Sequence, residues 1–273
     1  MKFDLENLLT GDIDAVSVLF VAESDHMPAS FSFKSTDVRS SIRHHLFTLI
    51  SQARFSYNID RFTAYLAVNY IDLFLSKQIV LENKPWIIRI LVIASFSLAA
   101  KMRNIINPIR FNETIEQRDA GLNFDLQSVN LMESLILTTL NWRLRSITPF
   151  AFLSFFNSLF ELSLEDRASD IIFSSRYEIK LLEYKPSILA ASAFLCAAHE
   201  LIPQQVSFFL DAINSKCEHM NKEELLNCWT VMREIIIDEV SSSSLTPNSV
   251  LDQESTSPQR EINPNIDNSK RLD

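Results

Sequence analysis

The chain has 273 residues and a formal net charge of −9, and 47% of its residues are hydrophobic. That length supports one or two domains with a real core. The acidic balance argues against a general nucleic-acid or membrane-surface role, because phosphate binding needs clustered Lys and Arg. Only 2 glycines are present, Gly11 and Gly121. Phosphate-cradling loops and two-residue hairpins need more, so the chain reads as helices joined by short polar links.

Residues 1–35 are mixed, a short amphipathic patch followed by polar and Phe-rich sequence. A helical pattern begins near Thr36, where Thr36 or Asp37 can cap it, and Ile42, Leu46, Leu49 and Ile50 follow at helical spacing. The next helix is expected over 60–77, with Phe62, Tyr65, Leu66, Asn69, Tyr70, Leu73 and Phe74 on one face. A third starts at Pro85, a good first-turn residue, and runs to about Met102. Residues 104–123 are irregular, with room for a short helix over 112–118. Asp125 caps a helix over 126–140 whose apolar stripe is Val129, Met132, Leu135, Ile136 and Leu140. Further helices are expected over 149–161, 165–182, 186–200, 203–216 and 221–239, with Pro186 and Pro203 at starts. From Ser241 the composition turns to Ser, Pro, Asn, Asp and Gln, a disordered tail by its low apolar content.

These elements divide the chain into an N-terminal extension (1–35), a first helical unit (36–146), a second (147–240) and the tail (241–273). An internal echo supports two copies of one unit. Ala94–Lys101, "ASFSLAAK", resembles Ser192–His199, "SAFLCAAH", and each belongs to the third long helix of its set.

The 3 cysteines, Cys196, Cys217 and Cys228, form no CxxC and are odd in number. Neither a disulfide framework nor a zinc site is indicated, and a reducing compartment is expected. The N-terminus carries Asp and Glu among its early apolar residues, unlike a secretory signal. The longest apolar run, Trp86–Met102, is interrupted by Arg89, Ser95 and Ser97, and is too short and polar to favour a membrane span. No zinc-ligand pattern, nucleophile elbow or phosphate loop occurs, so no metal, cofactor or catalytic activity is expected. That run ends on Lys101. The charge is either an ordinary helix terminus favoured by the macrodipole or a residue aimed at a partner.

Four segments bear on that choice: "FTAYLAVNYIDLFLS" (Phe62–Ser76), "SLAAKM" (Ser97–Met102), "VNLMESLILTTLNWRLRSITPF" (Val129–Phe150) and "LLEYKPSILAASA" (Leu181–Ala193). In this order they resemble the cyclin box of plant D-type cyclins, over roughly residues 37–240. The similarity points to the short sixth plant class, which lacks the retinoblastoma-binding Leu-x-Cys-x-Glu sequence; here no cysteine precedes Cys196. The resemblance implies an all-α protein of two tandem five-helix cyclin folds with flexible termini. It implies a regulatory subunit, not an enzyme, that binds and activates a cyclin-dependent serine/threonine kinase to promote G1/S progression and cell division. Location in the nucleus and cytoplasm follows from the same source. So do further contacts with kinase inhibitors and substrates, without direct nucleic-acid or membrane binding.

In cyclins a lysine ending the third helix and a glutamate on the fifth contact the kinase. The matching residues are Lys101 and Glu133. Apolar family contacts match Met102, Leu137, Trp142 and Leu144. Cyclins also carry a groove for Arg-x-Leu peptides on their first helix, with the pattern Met-Arg-Ala-Ile-Leu-Val-Asp-Trp-Leu. Set against "VRSSIRHHL", the groove comprises Val38, Arg39, Ser41, Ile42 and His45. Arg39 is kept, His44 replaces the aspartate and His45 the tryptophan, so Ser41 and His45 weaken the apolar floor. Arg103 and Asn104 stand where D-type cyclins usually have acidic residues. In the tail, Thr246–Pro247 and Ser257–Pro258–Gln259–Arg260 are phosphorylation candidates for a proline-directed kinase. Two other readings fit a cyclin fold: a degenerate interaction protein that binds no kinase, and a transcription-factor type that bridges protein partners. The second needs a basic face.

Overall fold

The computed structural model describes residues 13–27, 37–78, 85–103, 126–160, 163–217 and 219–243. Among these residues there are ten α-helices and no strand. The first set is α1 (Ile13–Ala22), α2 (Asp37–Tyr57), α3 (Arg61–Lys77), α4 (Pro85–Met102) and α5 (Leu126–Thr139). The second is α6 (Phe150–Phe160), α7 (Glu165–Ser175), α8 (Pro186–Leu201), α9 (Val206–Lys216) and α10 (Lys222–Ser243). Short 3-10 turns lie at Glu23–His26, Ile179–Glu183 and Pro203–Gln205.

Local chemistry sets the ends. Asp60 caps α3 by accepting from the Thr63 amide at 3.0 Å, and the Thr63 hydroxyl donates back at 2.6 Å. α2 stops where Asn58 turns left-handed, with φ of 50°, and the Ile59 amide closes on the Arg54 carbonyl at 3.0 Å. Pro186 opens α8 at a position whose amide has no helical partner to lose.

Each set is built around one central helix. α4 is buried without a break from Ile90 to Ala99, and α8 from Pro186 to Ala198. A helix that is apolar on every side needs neighbours on every side. α2, α3 and α5 pack on α4; α6, α7, α9 and α10 pack on α8. The repeated "AA" sequences lie here, with Ala99 and Ala197 fully buried at the close contacts.

The two sets are joined by polar and aromatic contacts. Arg43 of α2 donates to Asp72 of α3 (Nε–Oδ1 2.8 Å) and to the Tyr177 carbonyl (2.8 Å) and the Arg176 carbonyl just after α7. Arg176 reaches back to Asp72 at 3.0 Å and to Asn69 at 3.1 Å. Nearby, Arg61 pairs with Asp170 (Nη2–Oδ2 2.9 Å). α1, first of the helices in chain order, docks on the second set. Phe20 packs on Phe152 of the second set, ring centroids 5.0 Å apart. Glu23 accepts from the amide and hydroxyl of Ser187, both at 2.8 Å, at the start of α8.

Four expectations need correction. The helix expected over 165–182 ends at Ser175, because Arg176 turns inward to Asp72 and its carbonyl faces Arg43. The stretch 203–216 splits into a 3-10 turn and α9. Leu135 is exposed, not part of the buried stripe of α5. Helix α10 runs to Ser243, three residues into the tail expected to be disordered from Ser241; the tail from 244 and the short helix expected over 112–118 lie outside the described residues.

Candidate protein-docking site

α4 delivers Lys101 in its last turn, beside Glu133 of α5. The Lys101 ammonium lies 2.7 Å and 2.6 Å from the two carboxylate oxygens of Glu133. The lysine side chain is 47% exposed and the glutamate 9%. A buried carboxylate is thus held by one exposed ammonium, whose three donors are not all spent on it. Such a pair fixes its own geometry and still presents hydrogen-bonding groups at the surface.

Beside this pair opens a cavity of about 910 Å³, in the size range of binding pockets. Met102 from the end of α4, Leu137 from α5 and Leu73 from α3 contribute its apolar lining, with Leu140, Trp142 and Leu144 from the turn after α5. That turn is strained. Asn141 and Trp142 are both left-handed, with φ of 52° and 60°, a conformation costly for residues other than glycine. The amides of Asn141 and Trp142 close on the carbonyls of Thr138 (3.1 Å) and Leu137 (2.9 Å), ending the helix. The result holds a tryptophan 73% exposed at the mouth of the cavity. Leu144 is different: it is only 8% exposed, and its carbonyl accepts from the Tyr70 hydroxyl at 3.1 Å. It supports the cavity from the core side.

The six residues expected at a partner surface are therefore brought together: one ion pair and four residues lining one cavity. Sequence reasoning missed the opposite wall. Asp25, His26 and Met27 close the cavity from the N-terminal segment, and Lys77, Arg143 and Arg145 stand with them. Burial lowers the affinity of His26 for a proton; Asp25 opposes this and Arg143 adds to it. No local signal marks residues 25–27, since they arrive through the docking of α1 and Glu23 on the second helical set.

The proposed peptide groove looks different in structure. The side chains of Val38, Arg39 and Ser41 lie outside the described residues. Ile42 is buried in the core and cannot serve as exposed floor, while His45 is exposed. His44 is exposed too, its ring edge-on to Tyr177 at 4.8 Å. One turn beyond Arg39, Arg43 pairs with the buried carboxylate of Asp72. Moving the Met-Arg-Ala-Ile-Leu pattern by that turn sets Ile42 and Arg43 at Met-Arg and Leu46 at Leu. Arg103 does not point outward as a substitute for an acidic residue. It pairs with Asp60, donates to the Thr63 hydroxyl at 3.0 Å and lies 4.9 Å over the Phe62 ring. Thr246 and Ser257 lie outside the described residues. No group of three His, Cys, Asp or Glu side chains that could hold a metal occurs among the described residues, and none of their helices is long and apolar enough to cross a membrane.

Residues 14–145 match the family model for the cyclin N-terminal domain, and residues 147–262 that for the cyclin C-terminal domain. A protein of Arabidopsis thaliana that carries the name cyclin-D6-1 is 39% identical over 93% of this chain and 87% of its own length. The chain belongs to the plant D-type cyclins. The cyclin-D6-1 of Oryza sativa subsp. japonica is 35% identical over 85% of this chain and 73% of its own. Among solved structures, a viral cyclin from herpesvirus saimiri superposes with a TM-score of 0.66 at 16% identity, covering 84% of this cyclin and 99% of the viral chain. That likeness concerns the fold: two tandem cyclin domains. Cyclins are a family of regulatory subunits, and this chain is a member.

Proposed function

We propose that this cyclin binds a cyclin-dependent serine/threonine kinase through Lys101, Glu133 and the adjoining cavity, and activates it to promote G1/S progression. The observation that carries the reading is the Lys101–Glu133 pair, an exposed ammonium held on a buried carboxylate in bidentate contact, beside a cavity lined by Met102, Leu137, Trp142 and Leu144. A kinase interconverts between arrangements in which its own lysine–glutamate pair is formed or broken. A subunit that binds only the formed state shifts the population toward it by its differential affinity, with no chemistry of its own. Met102, Leu137 and Trp142 offer apolar anchorage; the charged pair offers oriented hydrogen bonds to backbone groups. Action in the nucleus, with a cytoplasmic fraction, and contacts with inhibitors and substrates belong to the same proposal.

The test is co-purification and kinase activation across a panel of plant cyclin-dependent kinases, comparing wild type with Lys101→Ala and Glu133→Ala. Removing one member of a charge pair that is desolvated on binding costs roughly 2–5 kcal/mol, enough to lose capture at micromolar concentrations. Folded variants that bind as wild type would remove the pair from the interface. A folded wild type that binds no kinase would support the degenerate reading.

A further inference from the structure

Charged contacts reach the last turn of α4 from two sides. Lys101 meets Glu133 of α5. Arg103, one residue past the helix, reaches the start of α3 instead. Its amide closes the final turn on the Ala99 carbonyl at 3.2 Å. Its guanidinium pairs with Asp60, donates to the Thr63 hydroxyl at 3.0 Å and lies 4.9 Å over the Phe62 ring. That seat is fixed by other contacts. Asp60 is held by the Thr63 amide and hydroxyl at 3.0 Å and 2.6 Å. Phe62 packs on Phe150 at the start of α6, ring centroids 5.1 Å apart.

Helix ends fray unless their side chains are tied down. Fraying here would carry the Lys101 ammonium off Glu133 and Met102 off the cavity wall. The Lys101 side chain is 47% exposed, and a flexible ammonium on one carboxylate does little to hold a helix end. A planar guanidinium that is both paired and stacked fixes it better. We propose that Arg103 is a positioning residue of the docking site, which clamps the end of α4 to the start of α3 and so fixes Lys101 and Met102 from the side away from Glu133. Its effect on affinity rests on the kinase reading of Lys101; the clamp itself is measurable without a partner.

The experiment uses the full chain, with residue-resolved amide hydrogen exchange and capture of each kinase of the panel. The variants are Arg103→Gln, Arg103→Lys, Asp60→Asn and Asp60→Asn/Arg103→Gln. Asparagine caps a helix as well as aspartate, so Asp60→Asn removes the ion pair and leaves α3 capped. Arg167→Gln breaks the ion pair with Glu200 in the second set and controls for a general loss of stability. Arg103→Gln is expected to speed exchange at the Lys101 and Met102 amides about 5–10-fold. Kinase capture should weaken about 2–5-fold, as a smaller fraction of the chain holds the competent end. Arg103→Lys should recover part of both, the double variant should match Arg103→Gln, and Arg167→Gln should change neither. Unchanged exchange in folded Arg103→Gln overturns the clamp, as does a double variant in which the two effects multiply, or an Arg167→Gln that lowers capture equally. If Lys101→Ala abolishes capture while Arg103→Gln captures as wild type, the positioning role is overturned and the kinase reading stands. If folded wild type captures no kinase, the kinase reading falls and takes the positioning role with it, whatever the exchange rates.

Discussion

Asp72 has no exposed surface, yet it receives two guanidinium groups, one from each helical set. Replacing it by asparagine keeps the volume and removes the charge. Arg43 and Arg176 would then share a buried site without a counter-ion, their side chains only 4% and 6% exposed. Breaking a buried pair in this way costs about 3–5 kcal/mol. Here each arginine keeps neutral acceptors, the Tyr177 carbonyl for Arg43 and Asn69 for Arg176, and Arg176 keeps its place 5.0 Å over the Tyr65 ring. The lower end, about 3 kcal/mol, is therefore expected for Asp72→Asn. At about 2–4 °C per kcal/mol for a chain of this size, the melting temperature should fall by roughly 6–12 °C. Urea unfolding followed by circular dichroism measures the same quantity directly. Because Asp72 ties the two sets together, the transition should also broaden or split. A loss below about 1 kcal/mol with an unchanged single transition would refute the assignment of this cluster as the junction. The triple variant Arg43→Met/Asp72→Leu/Arg176→Met supplies the contrast: with no charge left unpaired it should recover most of the loss.

Other predictions concern separate sites. Trp142→Gly should raise stability by about 0.5–1 kcal/mol, since glycine accepts the left-handed backbone without strain, while kinase capture falls; equal loss of both would place Trp142 in the core. Burial dominates at Glu23 and raises its carboxyl above the ordinary value, against the opposing effect of the Ser187 bonds and Lys185. Between the unfolded and the raised folded value the native state binds more protons. Its contribution is thus fully present at low pH and is lost as pH rises through the folded value. Glu23→Gln should flatten this slope in melting curves, whereas Glu23→Ala should lose about 1–3 kcal/mol by stranding the Ser187 donors. Burial pushes the Cys196 and Cys228 thiols up to about 12 and Cys217 to about 11. None should react with Ellman's reagent in the native protein, and all three should react in urea; rapid native labelling would contradict their burial.

The parts of this fold that could be read in advance are those that rest on local chemistry. Pro85 and Pro186 mark the central helices, whose uninterrupted apolar character requires burial, and Asp60 announces α3. The Lys101–Glu133 pair was legible only through family likeness, since the two residues come from different helices and nothing local joins them. Arg39 and Arg43 show the limit most clearly. They stand one turn apart on the same helix, and the distinction between them comes from Asp72, 29 residues on, and from carbonyls 133 and 134 residues away. The same cluster ends α7 early at Ser175, where the apolar pattern alone would continue. The rim residues Asp25 and His26 were illegible for a related reason: their position is decided by aromatic contacts and a carboxylate anchor on the other half of the chain.

That anchor has a consequence for synthesis. Glu23 and Ser187 are 164 residues apart, so at about 5–20 residues per second the ribosome needs roughly 8–30 s to supply the partner of the first helix. Throughout that interval Val16, Leu19 and Phe20 have been made but their seat on the second domain has not. A nascent chain stalled within the first cyclin box would present this apolar helix to chaperones or to other nascent copies. A helix made long before the second domain is thus among the last elements to find its place.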